Sequence, residues 1–414
     1  MKNFSPYKEA AVNMPAKSPG NSYSQSQSSA FSHKEKLCYM LELIAGATFV
    51  DGNAVTRLQN GERIFPAMLH DIHAATESID FITFVYWQGH IAVDFAQALS
   101  ARAEAGVKVR VLLDAIGAFQ MNDKLVNMMK RSGVDVRFFR PVAHWKIWKL
   151  DNRSHRKVLV CDRKVAFTGG VGIAEEWQGD ARNPGEWRDT HFRITGPAVT
   201  SIHSAFISNW SETTDFPEPL NQPCMHLSRT GRSRILTIAS PSSLQWSKIA
   251  LMFRTLIGSA TDSLSIATAY FVPDPSLVEL ICAAAKRGVH VRILVPGEHT
   301  DSRLSQVSGR EMFQRLLDAG VLLYRYRPTM MHAKILLVDN CLAVVGSANM
   351  NHRSMSKDEE CCLVIDDADV VNTLQADFDN DIEKSDSFDL DRFKDRSIWL
   401  KMTEKFVYLF RHEL

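Results

Sequence analysis

Two copies of the pattern His-x-Lys-x-x-x-x-Asp constrain this chain more than any other feature of its sequence. The first copy lies in SHRKVLVCD and the second in MHAKILLVD. After a short apolar run, each is followed by a turn of small residues, FTGGVG in one case and VGSAN in the other. Chance produces this pattern far less than once per chain of ordinary composition. We therefore expect one active site built from two halves, each supplying a His and a Lys.

The segments around the motifs repeat as well. ESIDFITFVYW resembles DSLSIATAYFV, RAEAGVKVRVLLD resembles AKRGVHVRILVP, and MMKRSGVDVRFFRP resembles RLLDAGVLLYRYRP. These pairs keep nearly the same separation, whereas the two motif His residues lie about ten residues closer together. The first repeat therefore carries an insertion before its motif. Repeats of this length are duplicated domains rather than solenoid units.

Each repeat is predicted to have the element order β-α-β-α-β-β. Apolar, β-branched runs such as FITFVY and VKVRVLLD alternate with helical patterns such as residues 91–104. Glycines end helices just before strands, at Gly106 and Gly133 and again at Gly288 and Gly320. The pattern predicts an α/β fold of two tandem domains, each a mixed β-sheet flanked by helices, related by pseudo-two-fold symmetry.

The motif itself is predicted to form a strand followed by a turn. His155 and Lys157 share one face of that strand, and Asp162 falls in the turn. The same places are taken in the second copy by His332, Lys334 and Asp339. The next strand returns as a hairpin, which brings Gly170 and Ser347 close to the His–Lys faces. The Asp of each motif either takes part in catalysis or braces the turn, and the turn-forming habit of Asp favours the brace.

The chain divides into four predicted parts. Residues 1–36 are rich in Ser, Gln, Asn and Pro and are predicted to be disordered. A first domain over residues 37–215 and a second over residues 216–385 follow the repeats. Residues 386–414 have apolar residues at helical spacing and many basic residues, which predicts a basic amphipathic helix. That helix either lies on anionic lipid or docks on its own domain.

Composition limits the possible partners. The net charge is +1, so no global field draws the chain to nucleic acid or to an anionic membrane. The seven Cys form no C-x-x-C pair, and no metal site is expected. No apolar run reaches the roughly 20 residues that span a bilayer, and no secretory signal is visible. Any membrane contact is therefore expected to be peripheral.

The combination of motifs and segments resembles the phospholipase D superfamily, and within it the bacterial cardiolipin synthases. The resemblance covers roughly residues 50–385 and includes GNAVTRLQNGERIFPAML, LLDAIG, EWRDTHFRITGPAV and GSANMNHRS, besides both motifs. It implies two phospholipase D-like domains and a short form without membrane-spanning helices. The chain departs from the family where Gly172 replaces a common Asn, where Asn351 replaces Asp, and where Asp358 replaces a common Asn.

These residue types suit transfer of a phosphoryl group. An anionic phosphodiester needs a neutral nucleophile, a proton donor for the leaving alkoxide, and fixed positive charge. One imidazole can attack phosphorus while the other, protonated, releases the alcohol and later takes a proton from the acceptor. Lys157 and Lys334 would hold the phosphoryl oxygens, with hydrogen-bond donors at Gly170, Ser347 and Asn349. The scheme needs neither a metal nor another cofactor.

The resemblance also implies individual roles. His155 is expected to be the nucleophile and His332 the acid/base. In this superfamily the carboxylate that orients each His tends to come from the opposite repeat. We therefore expect Glu360 to orient His155 and Asp189 to orient His332.

The resemblance implies a peripheral, monomeric enzyme at the cytoplasmic face of the bacterial cell membrane. With phosphatidylglycerol as both donor and acceptor, transfer of a phosphatidyl group yields cardiolipin and glycerol. The alternative within the same mechanism is a phospholipase D, which uses water and releases phosphatidic acid. A nucleic-acid phosphodiesterase is disfavoured by the near-neutral charge, so no nucleic-acid partner is expected. A scaffold is disfavoured because both His–Lys sets are intact. Pocket shape and water exclusion decide the acceptor, and spacing reveals neither.

Two weaker signals leave alternatives open. Residues 144–149 combine Trp, Lys and His in the insertion, and they form either a loop folded over the domain or a rim that meets lipid. His191 is interpreted as a structural histidine of a strand, with a place in the site wall as the alternative.

Overall fold

A computed structural model describes residues 31–141, 152–214, 227–240 and 247–390, together with residues 393 and 402. The predictions made for residues 1–30, for residues 144–149 and for most of residues 391–414 lie outside this part of the chain.

Both repeats share a common series of elements in the same order, and the second repeat has the short strands β10, β15 and β17 in addition. After helix α1 (His33–Ala45), the first repeat contains β1 (Val50–Gln59), α2 (Asn60–Ala74), β2 (Ser78–Thr83), α3 (His90–Glu104), β3 (Lys108–Asp114), α4 (Asp123–Arg131), β4 (Asp135–Phe139), β5 (Val158–Cys161), β6 (Val165–Gly169), β7 (Thr190–Thr195) and α5 (Val199–Ser211). The second repeat contains β8 (Ser233–Ser240), α6 (Lys248–Ser259), β9 (Ser263–Ala267), β10 (Phe271–Val272), α7 (Pro275–Lys286), β11 (His290–Pro296), α8 (Arg303–Asp318), β12 (Leu322–Tyr326), β13 (Ile335–Val338), β14 (Leu342–Gly346), β15 (Met350–Asn351), β16 (Glu360–Asp366), α9 (Ala368–Glu383) and a final short strand, β17 (Ser385–Ser387).

The two repeats join into one sheet. Its order is β17-β12-β11-β9-β13-β14-β16-β8-β1-β7-β6-β5-β2-β3-β4. Outward from the central pair β8 and β1, the corresponding strands of the two repeats follow each other in the same order. Strands β2, β3 and β4 pair in parallel, whereas β5, β6 and β7 pair antiparallel, which makes each half a mixed sheet. The predicted fold class is confirmed, and the continuity of the sheet is an addition to it.

A shared hydrophobic core fixes the repeats relative to each other. Alternate residues of β5 point to opposite faces: Leu159 packs beneath the helices of the first repeat, whereas Val158 packs in the shared core. That core also contains Leu337 of β13, Phe206 of α5 and Phe378 of α9, all fully or nearly fully buried. Each such side chain contributes about 1.5–3 kcal/mol through burial.

Helix α1 corrects the predicted limit of the disordered segment. It begins at His33, inside the range 1–36, because Ser32 and Glu35 form a capping box. Leu37 and Leu41 of this helix are buried in the core of the second repeat. The capping residues stand at the end of a long polar run, which concealed the start of the helix. Within the described ranges, no helix is long and apolar enough to cross a bilayer.

Candidate active site

The His–Lys segments precede strands β5 and β13 instead of forming part of them, which corrects the predicted strands. Each strand begins directly after its motif Lys. The preceding residues pair with the opposite repeat, through isolated bridges from Ser154 to Glu359 and from Met331 to Arg188. The His and Lys of each motif therefore lie outside the strand that follows them.

Backbone hydrogen bonds carry each His across to the other repeat. The His155 N–H donates to the carbonyl of Glu359 at 2.9 Å, and the His332 N–H donates to the carbonyl of Arg188 at 2.7 Å. The residue that follows each carbonyl is the expected carboxylate partner. Each half of the site is thus made of a His from one repeat and a carboxylate from the other.

Glu360 holds His155 through the ring nitrogen Nδ1. The distances from Nδ1 to the two carboxylate oxygens are 2.9 and 3.1 Å. The same carboxylate accepts hydrogen bonds from the hydroxyls of Ser354 and Ser347, at 2.6 and 2.5 Å. Burial alone would raise the pKa of Glu360, but His155, Lys157 and the Ser347 hydroxyl hold that pKa below its ordinary value. An ionised Glu360 fixes the proton on Nδ1 and leaves Nε2 of His155 with its lone pair.

Asp189 holds His332 in the same way, with different neighbours. The Nδ1 atom of His332 lies 2.7 Å from the Asp189 carboxylate. That carboxylate also accepts the indole N–H of Trp177 at 2.9 Å and the backbone N–H of Thr190 at 2.7 Å. Although burial opposes ionisation, His332, Lys334 and the backbone N–H of Thr190 keep the pKa of Asp189 below its ordinary value.

The two imidazoles differ in their surroundings. His332 lies among three aromatic rings, with centroid distances of 5.1 Å to Trp177, 5.3 Å to Trp187 and 6.3 Å to Tyr270. His155 contacts the ring of Phe84 at 5.2 Å. The side chain of His332 is 6% exposed and that of His155 is 12% exposed. Burial, together with the charge of Lys334, lowers the pKa of His332 to about 4, so its ring is neutral at pH 7.

The two motif lysines are buried and interact electrostatically with carboxylates of both repeats. Lys334 donates to the carbonyl of His332 at 2.6 Å, and Lys157 donates to the carbonyl of His155 at 2.9 Å. Burial lowers the pKa of Lys157 to about 7 and that of Lys334 to about 8. The carboxylates of Glu360 and Asp189 oppose this lowering for both lysines. Charges of the two repeats therefore act on each other within a single site.

Gly170 has a packing role that the sequence did not reveal. Its N–H donates to the carbonyl of Thr190 at 3.4 Å, and its predicted donation to a substrate phosphate stays a prediction. A Cβ at this position would lie 2.3 Å from Oδ1 of Asp189. Because Gly170 has no side chain, the Asp189 carboxylate can occupy the space beside it. Similarly, a Cβ at Gly172 would lie 2.7 Å from Val85 and 3.2 Å from Trp177, which explains the absence of the common Asn there.

The other two predicted donors are buried beside His155. The hydroxyl of Ser347 is used by Glu360, so Ser347 orients the carboxylate rather than the substrate. The backbone N–H of Asn349 donates to Ser354 at 3.0 Å. The side-chain oxygen of Asn349 has no hydrogen-bond partner among the described residues. That oxygen is an acceptor, so the predicted donation from Asn349 to a substrate phosphate stays a prediction.

The motif Asp residues brace turns at the far ends of β5 and β13. The carboxylate of Asp162 accepts the backbone N–H groups of residues 76–78 at 2.7–3.1 Å, and that of Asp339 accepts those of residues 261–263 at 2.8–3.1 Å. Both residues have positive φ, 50° and 49°, as does the residue that follows each, which is the backbone of a tight hairpin turn. Of the two alternatives left open for Asp162 and Asp339, these contacts favour the brace over a direct catalytic role.

Sequence reasoning missed two side chains that hold the carboxylates. Trp177 donates to Asp189, and Ser354 donates to Glu360. Each of these residues stands at the same distance along the chain after its motif His. Aligning the repeats on the motif would have paired the two positions, although Trp and Ser look unrelated. The buried His191 lies in β7 and its pKa is lowered to about 4 by burial.

Comparisons with known proteins agree with this geometry. The family described as cardiolipin synthase, PLD-like domain matches residues 68–176 and 253–382. Cardiolipin synthase 1 of Bacillus cereus is 30% identical over 383 residues, which cover 90% of this chain and 75% of that protein. The probable cardiolipin synthase YwiE of Bacillus subtilis is 33% identical over 360 residues, covering 85% of this chain and 71% of that protein. The chain therefore belongs to the phospholipase D-like cardiolipin synthase family, as the sequence predicted.

A solved structure supports the fold. Phosphatidylserine synthase of Haemophilus influenzae Rd KW20 superposes with a TM-score of 0.66 at 14% identity, covering 91% of this chain and 97% of that one. At this identity the match concerns the fold alone. Within the part of the chain that the structure describes, no group of three or more His, Cys, Asp or Glu side chains is placed to hold a metal ion.

Proposed function

We propose that this protein transfers a phosphatidyl group from one phosphatidylglycerol to another, giving cardiolipin and glycerol. The observation that carries the proposal is the crossed pair of His–carboxylate contacts, 2.9 Å for His155 with Glu360 and 2.7 Å for His332 with Asp189. Each contact occupies Nδ1 and makes Nε2 the reacting nitrogen, and Nζ of Lys334 lies 3.2 Å from Nε2 of His332. Two imidazoles with separate partners can act as nucleophile and acid/base in turn.

In the first step Nε2 of His155 attacks the donor phosphorus. The bond from phosphorus to the glycerol oxygen breaks, and His332 gives its proton to that oxygen. In the second step a primary hydroxyl of the acceptor attacks phosphorus, its proton passes to His332, and the phosphorus–nitrogen bond to His155 breaks. Protonated Lys157 and Lys334 stabilise the charge on the phosphoryl oxygens.

Substrate binding has to prepare His332 for its first role. His332 is neutral in the free protein, since its pKa is lowered to about 4, so it must gain a proton before the first step. A bound phosphodiester adds negative charge, which raises that pKa and lets His332 hold a proton for the leaving alkoxide. The same charge raises the pKa values of both lysines and keeps them protonated.

The proposal includes the setting of the reaction. The substrate is a phospholipid, so the protein works as a peripheral enzyme at a membrane surface, on the cytoplasmic face of the bacterial cell. One chain supplies both halves of the site, in residues 37–215 and 216–385, so a monomer suffices. No nucleic acid takes part, and no metal or other cofactor enters either step.

Product analysis tests the proposal. Purified protein is incubated with phosphatidylglycerol vesicles, and the lipids and released glycerol are measured by mass spectrometry. We expect cardiolipin and glycerol in equal amounts, and neither with His155→Ala or His332→Ala. Phosphatidic acid without cardiolipin would show a hydrolase instead, and substantial activity in either variant would contradict the single site.

A further inference from the structure

The second repeat contains a pocket that reaches toward His332 through Tyr270. It has a volume of about 90 Å³ and is partly open to solvent. Tyr270 lines the end nearest the site, with its ring 6.3 Å from that of His332. Phe271, Phe313 and Phe388 form apolar walls, and the polar wall is formed by Ser302, Gln306 and Arg310.

The first repeat has a bulkier side chain next to the position that corresponds to the pocket residue Phe271. When the repeats are aligned on β2 and β9, Trp87 takes the place of Val272. The indole N–H of Trp87 donates to the carbonyl of Gly117 at 2.7 Å, in the loop after β3. That loop packs so closely that a Cβ at Gly117 would lie 2.2 Å from the carbonyl oxygen of Phe84.

Arg310 carries a charge in this pocket that no described residue pairs with. It is half-buried, and it has no hydrogen bond or ion pair with any residue the structure describes. The neighbouring Arg325 is paired with Asp386 at 3.3 Å. Glu298 also lines the pocket, but the structure does not pair it with Arg310. A half-buried guanidinium without a carboxylate partner is suited to bind a planar or tetrahedral anion.

We infer that this pocket binds the phosphodiester of the acceptor phospholipid, through Arg310. The inference rests on the proposed function. In the second step the attacking hydroxyl must reach His332, and an acceptor phosphatidylglycerol carries its own phosphate at the other end of the same three-carbon headgroup, roughly 6 Å away when extended. A lipid acceptor therefore requires a second anion site one headgroup from His332, whereas water or a simple alcohol requires none.

Tyr270 and Asp301 complete this acceptor pocket. The Tyr270 hydroxyl donates to the Asp301 carboxylate, at the junction of the pocket and the site. Asp301 also acts electrostatically on His332 and Lys334, which places it close to the reacting groups. A hydroxyl and a carboxylate at this point can hydrogen-bond the middle hydroxyl of the headgroup. The repeat that supplies His332 would thus also bind the molecule from which His332 takes a proton.

Competition between two acceptors tests the inference. Arg310→Gln is compared with Arg315→Gln, a matched control on the same helix whose arginine is exposed and contacts Glu279. Each protein is incubated with phosphatidylglycerol micelles and ethanol, so that cardiolipin and phosphatidylethanol form from one shared intermediate. We expect the ratio of cardiolipin to phosphatidylethanol to fall about tenfold or more in Arg310→Gln, since a charge-assisted contact to the acceptor is lost. The ratio should stay within about twofold in the control, and Arg310→Lys should recover part of it.

An unchanged product ratio in Arg310→Gln would overturn the inference, including the case where both products fall together because folding or donor binding has failed. If the unaltered protein forms phosphatidylethanol but no cardiolipin, the proposed function fails and the inference fails with it. If the unaltered protein forms both products, the proposed function stands whatever the variant does.

Discussion

The two halves of the site place the same side chain in different surroundings. His155 is held by a Glu that two serine hydroxyls support, with one aromatic ring beside it. His332 is held by an Asp that an indole N–H supports, and three aromatic rings lie around it. Environments that differ in burial and charge separate the roles of otherwise equal titratable groups. Under the proposed mechanism, the neighbours of the two histidines would therefore determine which one attacks and which one carries the proton.

The carboxylates illustrate how such a difference is accommodated. Asp189 is one methylene shorter than Glu360 and stays close to the backbone, where Gly170 leaves room for it. Ser347 stands at the position matching Gly170 and donates to the longer Glu360. The pairs Gly170 with Asp189 and Ser347 with Glu360 are therefore two solutions to one packing problem.

The largest expected effect comes from removing either imidazole. We expect His155→Ala and His332→Ala each to lower turnover by roughly 10⁴-fold or more, since one removes the nucleophile and the other the acid/base. Their covalent states should differ. Intact-mass measurement after incubation with phosphatidylglycerol should detect a phosphatidyl adduct in His332→Ala and none in His155→Ala. The opposite pattern would exchange the two roles.

The next largest effect on turnover is expected when Gly170 and Asp189 are replaced by the residues found at the matching positions of the second repeat. Gly170→Ser should lower kcat by roughly 10²-fold, because the new side chain displaces the Asp189 carboxylate from His332. Adding Asp189→Glu should restore at least about tenfold of that loss, since the pair then copies the other repeat. Turnover and thermal unfolding are measured for the two single variants and the double variant. Additive losses in the double variant would show that the two positions are independent.

A pH profile should show an effect of about tenfold. Because the pKa values of Lys157 and Lys334 are lowered to about 7 and about 8, kcat/KM should fall as the pH rises from 7 to 9 and the lysines lose their charge. Unfolding cannot explain such a loss. Both pKa values lie below the unfolded value of about 10.4, so the unfolded chain binds more protons in this range and the two lysines favour the folded state increasingly with pH. A flat profile between pH 7 and 9 would contradict the role of the lysines.

The smallest effect on catalysis is expected from the motif Asp residues. Asp162→Ala and Asp339→Ala should each lower the free energy of unfolding by about 2 kcal/mol, because the backbone N–H groups of residues 76–78 or 261–263 lose their acceptor. Turnover per folded molecule should stay within about twofold. Denaturant unfolding and activity titrated against folded protein measure the two effects. A loss of turnover as large as that of the His variants would show that Asp162 and Asp339 take part in catalysis.

Much of this arrangement could be predicted because it is encoded locally. The duplicated pattern, the strand–helix alternation and the glycines before strands follow from short-range periodicity, and they predicted the fold. The roles of Gly170 and Ser347 could not be read in this way. They depend on where the Asp189 and Glu360 carboxylates lie, and those belong to strands distant in sequence. The start of β5 was misjudged for a similar reason, since Ser154 and His155 bond to the opposite repeat.

The acceptor pocket was also beyond sequence reasoning. Its walls come from Tyr270 and Phe271 after β9, from the residues around Gly297 after β11, and from helix α8. These segments are separated along the chain, and only the fold brings them together.

The junction of β1 with β8 inside one polypeptide has an evolutionary consequence. In an assembly of two identical subunits, every mutation appears on both sides of the symmetry axis, so a change that helps one side must be tolerated by the other. Fusion of the halves into one sheet removes that restriction. Each half can then accumulate substitutions independently of the other. An enzyme with two substrates can in this way adapt one half to the donor and the other half to the acceptor.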